Sequence, residues 1–213
     1  MIKPPTLQQA VETHLREAIL NGQIPSGEAI AMDELIEQLG VSRVPIRDAL
    51  RVLEGEGLVN SKPRRGYVVT ELSVSDLKEL QEIRAVLEDE ALNDARGKIT
   101  KTTIDDMESS FDAMCNSEDS ADYAEWIKAH RKFHFAIYEL SANQALRRVL
   151  HQVWDASDIY RAAHMADADA RAISKRQHEE LLRAARSADV ESMFTILKEH
   201  RATTVERLEG VRS

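Results

Sequence analysis

The sequence predicts a mainly α-helical chain in two parts, a winged helix-turn-helix at residues 1–72 and an all-α bundle of about six helices at residues 73–213. Three observations carry that prediction. Apolar residues recur at helical spacing along nearly the whole chain. Strand composition is confined to a short stretch after Gly57. Positive charge is gathered in one place: Val41 to Thr70 holds six basic residues against three acids, whereas residues 73–213 carry 20 basic and 27 acidic side chains, a net of −7. A net charge of −9 argues against indiscriminate nucleic-acid binding by the whole chain, and the local basic patch fits a small DNA-reading surface.

The elements of the first part follow in order. Leu7, Val11, Leu15, Ala18 and Ile19 form a helical stripe that stops at Asn21-Gly22. After a loop through Pro25-Ser26-Gly27, residues 33–39 make a short helix with Leu35, Ile36 and Leu39 inward, closed by Gly40. Ser42 is a fitting N-cap for the next helix, and Pro45 sits harmlessly in its first turn. In that helix Ile46, Ala49, Leu50 and Leu53 face the core, and Arg43, Arg47 and Arg51 share another face. A short helix, a glycine turn and a helix with a basic outer face make a helix-turn-helix. Residues 58–60 and 67–69 then read as strands around the basic tip Lys62-Pro63-Arg64-Arg65-Gly66. That hairpin is a wing; guanidinium groups pair bidentately with phosphate oxygens and guanine edges.

These motifs resemble the GntR superfamily of winged-helix regulators. The resemblance runs through Gly22-x-x-Pro25-Ser26-Gly27, residues 39–51 (LGVSRVPIRDALR), residues 53–59 (LEGEGLV) and Arg65-Gly66. It implies a DNA site made of Ser42, Arg43, Val44, Arg47, Arg64, Arg65 and Gly66, with Arg43 and Arg47 in the major groove and Arg65-Gly66 as the wing contact. Two departures bear on the operator: Val44 replaces the usual threonine, and Asp33 stands where some members place a DNA-contacting arginine.

The second part opens after Glu71-Leu72-Ser73, with Ser73 or Ser75 as N-cap, and predicts helices over 75–96, 102–115, 120–141, 144–162, 170–186 and 189–208. Asn143 and Asp189 are fitting N-caps. Four histidines fall on the inward stripes: His130 and His134 between Ile127 and Ile137, His178 ahead of Leu181-Leu182-Ala185, and His200 with Met193, Leu197 and Thr204. Residues four apart share a helix face, so His130 and His134 can chelate one ion that the other two complete. A shell of neutral nitrogen favours Zn or Ni, with Mn or Fe as further options, over Mg or Ca. The alternative is that inward imidazoles only satisfy core hydrogen bonds. His14, His151 and His164 have no matching partners and read as surface or capping residues; Trp126, Phe133 and Trp154 read as core, and residues 167–169 as a polar loop.

This part resembles the FCD branch of the same superfamily, on His130-x-x-Phe133-His134 with Ser141-Ala142-Asn143, on His178-Glu179-x-Leu181-Leu182 with Asp189, and on His200. The resemblance implies a metal site at His130, His134, His178 and His200, with His130 where the family usually has aspartate. It also assigns Arg84 to a carboxylate effector. From the residues alone, Arg84 lies among Leu77, Leu80, Leu87 and Ala91, so its charge needs an anion, an ion pair with Glu88 at i+4, or a side chain that snorkels out at the stripe's edge.

The expected function is a homodimeric, sequence-specific DNA-binding regulator of repressor type on a palindromic operator, controlled by a small carboxylate or a divalent metal. A sensor in which the ion is itself the signal, and a metallohydrolase, are the alternatives. The second is weakened because Arg131-Lys132-Phe133 lacks the glutamate base of a His-Glu-x-x-His motif. No apolar run approaches the ~18 residues of a membrane span, residues 1–5 lack the apolar core of a signal peptide, and Cys115 is the sole cysteine, so a reducing cytoplasm is the expected compartment.

Overall fold

A computed structural model describes residues 4–120, 122–165 and 167–211. The chain divides into two compact units, residues 1–72 and 73–213.

In the first unit, α1 (Leu7–Leu20) is opened by a capping box between Thr6 and Gln9 and is followed by α2 (Met32–Leu39) and α3 (Arg43–Gly55). Gly40 closes α2 at φ 63°, a left-handed conformation that any side chain would strain, and so makes the sharp turn into α3. The unit's core is the set predicted from periodicity: Val11, Leu15, Ala18 and Ile19 of α1 meet the fully buried Ile46, Ala49, Leu50 and Leu53 of α3. Leu7 departs from the expected stripe and is exposed.

Strands β1 (Val59–Lys62) and β2 (Gly66–Val69) pair antiparallel from Val59 opposite Val69 to Lys62 opposite Gly66. Pro63 followed by Arg64 at φ 65°, with the Arg65 amide donating to the Lys62 carbonyl, is the pattern of a type II turn. The predicted loop before α2 also joins this sheet. Its Ile30 amide donates to Tyr67 O and the Val69 amide to Glu28 O, each at 2.8 Å, with Ala29 bridged to Val68. That edge had no period-two signal in a stretch of five or six residues.

The second unit holds, among the described residues, seven helices: α4 (Val74–Asp94), α5 (Lys101–Ser120), α6 (Tyr123–Tyr138), α7 (Gln144–Ala156), α8 (Asp158–Met165), α9 (Ala168–Arg186) and α10 (Val190–Val211). The caps fall where the sequence placed them. Ser73 Oγ accepts from the Asp76 amide, Asn143 Oδ1 from Ala145 and Leu146, and Asp189 Oδ1 from Ser192. The helix predicted over 144–162 is two helices. At the break, Ser157 Oγ donates to Val153 O (2.8 Å), and Arg161 Nη1 reaches back to Trp154 O (2.9 Å). Side chains that satisfy backbone carbonyls at the kink keep its cost low. Residues 167–169, predicted as loop, instead start α9, with Asp167 as its N-cap.

Candidate functional site

The face that the sequence predicts to read DNA lies on α3 and the wing. Because Ile46, Ala49, Leu50 and Leu53 are pinned inward, helical geometry turns Arg43, Arg47 and Arg51 outward, and all three are exposed. Ser42 is at the N-cap position of α3 but makes no side-chain cap bond, and Val44 beside it is 55% exposed. Arg64, Arg65 and Gly66 are exposed at the wing tip. Arg43 Nη2 lies 2.5 Å from Asp33 Oδ1, between side chains 64% and 86% exposed. A solvated pair of that kind is worth at most about 1 kcal/mol, so a phosphate can compete for the guanidinium.

In the second unit, α6, α9 and α10 bring the four predicted histidines together. One ring nitrogen from each of His130, His134, His178 and His200 lies within 4.8 Å of all the others. The Nε2 atoms of His134 and His178 are 3.0 Å apart, those of His134 and His130 3.2 Å, and those of His130 and His200 3.4 Å. His130, His134 and His178 are buried and His200 is half-buried at the rim. Burial, joined by the neighbouring imidazoles, pushes His130, His134 and His200 well below the usual histidine value. Burial likewise takes His178 down to about 4, against the opposing pull of the Ser174 carbonyl. All four are therefore neutral at pH 7, the state a metal needs.

The donor set fits a divalent ion of the borderline class. His178 Nδ1 donates to Ser174 O (2.7 Å) and His200 Nδ1 to Gln177 Oε1 (2.8 Å), which leaves a lone pair on each Nε2 at the cluster's centre. Without an ion, His134 could donate to His178 and His130 to His200, but two N–H groups would then oppose each other 3.2 Å apart between His130 and His134. An ion accepting all four lone pairs removes that conflict. The Nδ1 atoms of His130 and His134 have no hydrogen-bond partner, so only half of the cluster carries the outer support usual for ligating imidazoles.

Next to the histidines lies a cavity of about 20 Å³ lined in part by Gln81, Arg84, Arg161, His164, His200 and Arg201. That is room for about one water-sized group. Arg84 both lines the cavity and forms the ion pair anticipated with Glu88, at 2.7 Å. Glu88 is the hub of the wall, accepting also from Trp154 Nε1 (2.8 Å) and Arg201 Nη1 (2.7 Å). Burial raises the Glu88 carboxyl, but Arg84 and Arg201 outweigh it and hold the group below its ordinary value. Arg161 pairs with Asp158, lies 4.0 Å over the Trp154 ring, and keeps its Nη2 without a partner. Burial, reinforced by Arg84, lowers it to about 9 despite Asp158 and Glu88.

Sequence reasoning missed Arg161, Arg201 and Gln81. Arg201 and Arg161 lay on inward stripes as Arg84 did, and that signal was available. His151 and His164, expected in surface or capping roles, are both half-buried. His151 meets Arg131 Nη2 at 2.8 Å and Glu139 Oε1 at 2.7 Å and stacks on Phe135, and His164 lines the cavity.

Comparison with known proteins gives these two units a family. Residues 7–69 match bacterial regulatory proteins of the gntR family, and residues 79–203 match the FCD domain. The chain belongs to the GntR family, with an FCD domain as its second unit. Among relatives of this GntR-family chain, the HTH-type transcriptional regulator YdhC of Bacillus subtilis is 32% identical over 157 residues, 72% of this chain and 69% of its own. The Nta operon transcriptional regulator of Aminobacter aminovorans is 32% identical over 154 residues, 71% of this chain and 70% of its own. The solved structure of Escherichia coli McbR/YncC shares the fold with a TM-score of 0.79 at 23% identity, over 99% of this chain and 100% of that one. These relatives are transcriptional regulators, not enzymes, so the hydrolase alternative is set aside. This FCD-type GntR regulator also has, among its described residues, no helix long and apolar enough to cross a membrane.

Proposed function

We propose that this GntR-family transcriptional regulator is a homodimeric repressor whose hold on a palindromic operator is set by a divalent metal, Zn or Ni before Mn or Fe, and by a small carboxylate effector. The observation that carries the reading is the convergence of four neutral ring nitrogens, from three helices, within 4.8 Å. His130, His134, His178 and His200 would hold the ion, and the ion would supply a Lewis-acid anchor for a carboxylate oxygen. Arg84 is the effector's second anchor, and the unpartnered Nη2 of Arg161 in the same wall offers a further donor. On the DNA side, Arg43 and Arg47 read the major groove from α3, with Ser42 and Val44 at its entry. Arg64, Arg65 and Gly66 of the wing meet the backbone or minor groove.

One observation favours a second reading, in which the ion itself is the signal. A cavity of about 20 Å³ admits a water-sized ligand but not a multi-carbon acid unless its walls move. One experiment separates the readings. A duplex selected by the full chain from a random pool is titrated with metal-stripped protein, with Zn- or Ni-loaded protein, and with loaded protein plus a panel of small carboxylates. Effector control predicts at least a tenfold change on adding one of the acids. Ion sensing predicts that change on loading alone. Equal affinity in every arm contradicts both.

A further inference from the structure

We infer that Val44 selects thymine, its methyl groups meeting the C5-methyl of one thymine in each half-site through the major groove. The inference deepens the regulator reading above and rests on α3 being the reading helix. Among the described residues of the first unit, two large apolar side chains are strongly exposed, Leu7 and Val44. A single exposed apolar residue is ordinary; what makes Val44 informative is its company. It is the second residue of α3, flanked by Arg43 and Arg47, which also face outward. The N-terminal residues of a recognition helix are the ones that reach base edges. Arg47 lies three positions on and so shares a helix face with Val44, while Ile46, Ala49, Leu50 and Leu53 hold the core on the other side. Val44 is no part of that core, and helix propensity does not call for it either, since valine is among the weaker helix formers.

Chemistry decides what such a side chain can recognise. Threonine, its isostere, offers a hydroxyl that can bond phosphate or an edge of any base pair. Valine carries a second methyl there and neither donates nor accepts. In the major groove A, G and C present donors and acceptors, and thymine alone adds an apolar group, its C5-methyl. Valine set against an amino or carbonyl edge strips that edge of water and returns no hydrogen bond, which weakens binding. Set against a methyl, both surfaces leave water, which strengthens it. The position thus favours thymine and penalises the other bases together. Branching at Cβ holds χ1 in one rotamer on a helix, so the methyls are presented at a fixed place. The arginines on either side supply the bidentate contacts to guanine or phosphate that would seat the helix.

The test starts from the duplex that the full chain selects out of a random pool. Each thymine in it is replaced in turn by deoxyuridine, which lacks only the C5-methyl. One thymine of each half-site should respond, its replacement weakening binding about fourfold, the worth of one methyl taken out of water. Exchanging that T·A pair for C·G should weaken binding at least as much, and a C5-methyl on the new cytosine should recover about the same factor. The Val44→Ser chain, altered at an exposed position, should match wild type in circular dichroism and bind the thymine and deoxyuridine duplexes alike. Its salt dependence should keep the wild-type slope, because no phosphate contact is lost. If that variant folds poorly, the deoxyuridine and methylcytosine arms on the wild-type chain decide the matter. No response to deoxyuridine at any thymine overturns the inference, as does a cytosine methyl that recovers nothing, or a folded Val44→Ser chain as sensitive as wild type. Arg47→Ala separates that failure from failure of the regulator reading. If it loses specific binding, α3 stays the reader and only the role of Val44 falls. A wild-type chain that enriches no sequence, or an Arg47→Ala chain with unaltered affinity for the selected duplex, removes both.

Discussion

Arginine serves two purposes in this molecule, and the contrast between its two units shows how burial decides which. In the first unit, Arg43, Arg47, Arg51, Arg64 and Arg65 are exposed, held at most by solvated neighbours such as Asp33 or Asp48. In the second, Arg84, Arg161 and Arg201 are between 4% and 6% exposed and tied to Glu88, Asp89 and Asp158. An exposed guanidinium is free to exchange water for phosphate and contributes little to the fold. A buried one is bound to its counter-charge, and removing either partner leaves an uncompensated charge. The first set is positioned to meet a ligand; the second shapes a wall.

The largest expected effect follows from breaking that wall. Glu88→Ala leaves Arg84 and Arg201 facing each other across a buried gap and should destabilise the second unit by about 3–5 kcal/mol, read as a drop in the urea midpoint. A loss below about 1 kcal/mol would mean that the three groups are better solvated than their burial indicates. The exposed set should behave in the opposite way. Arg47→Ala should leave stability unchanged and bring operator binding down to the non-specific level, a loss of about 1–3 kcal/mol at the least; an unaltered operator affinity would remove α3 as the reader.

A subtler form of the comparison is acid dependence. The folded value of Glu88 lies below its ordinary 4.5, so its contribution is fully present above that pH and is lost as pH falls through the folded value. Glu88→Gln should therefore flatten the acid limb of the stability curve below pH 4.5. An unchanged slope would show that other carboxylates control acid unfolding. The smallest expected effect is at Asp33. Asp33→Ala frees Arg43 and removes a negative charge from the reading face, which should tighten DNA binding several-fold and steepen its salt dependence. Weaker binding would mean that Asp33 positions Arg43 for its contact.

The two sets also differed in how far the sequence revealed them. The helix-turn-helix was legible because its determinants are local: the Ile46-Ala49-Leu50-Leu53 period, Gly40 at a left-handed turn, and a run of basic residues at fixed spacing. The histidine cluster was legible for the same reason within α6, where the i, i+4 spacing of His130 and His134 sets the geometry, and His178 and His200 were carried by their stripes. The ion pairs of Arg201 with Glu88 and Asp89 span more than 110 positions, and no local pattern announces them. The break at Ser157 was hidden because serine inside an amphipathic run reads as a tolerated polar residue. What makes it a break is Arg161 folding back to Trp154 O, a side-chain choice that periodicity does not record.

The proposed role of the four imidazoles is to form a single ion site. It is tested most directly by counting metal per chain in the full-length protein after equilibration with limiting Zn or Ni and removal of the unbound ion. Trp126 and Trp154, whose rings lie 4.6 and 5.5 Å from that of His130, provide fluorescence as a second readout. One ion per chain is expected, with a fluorescence change that saturates at that ratio and loss of both in His134→Ala with the helical content intact. A wild-type chain that retains no ion and shows no fluorescence response would contradict it.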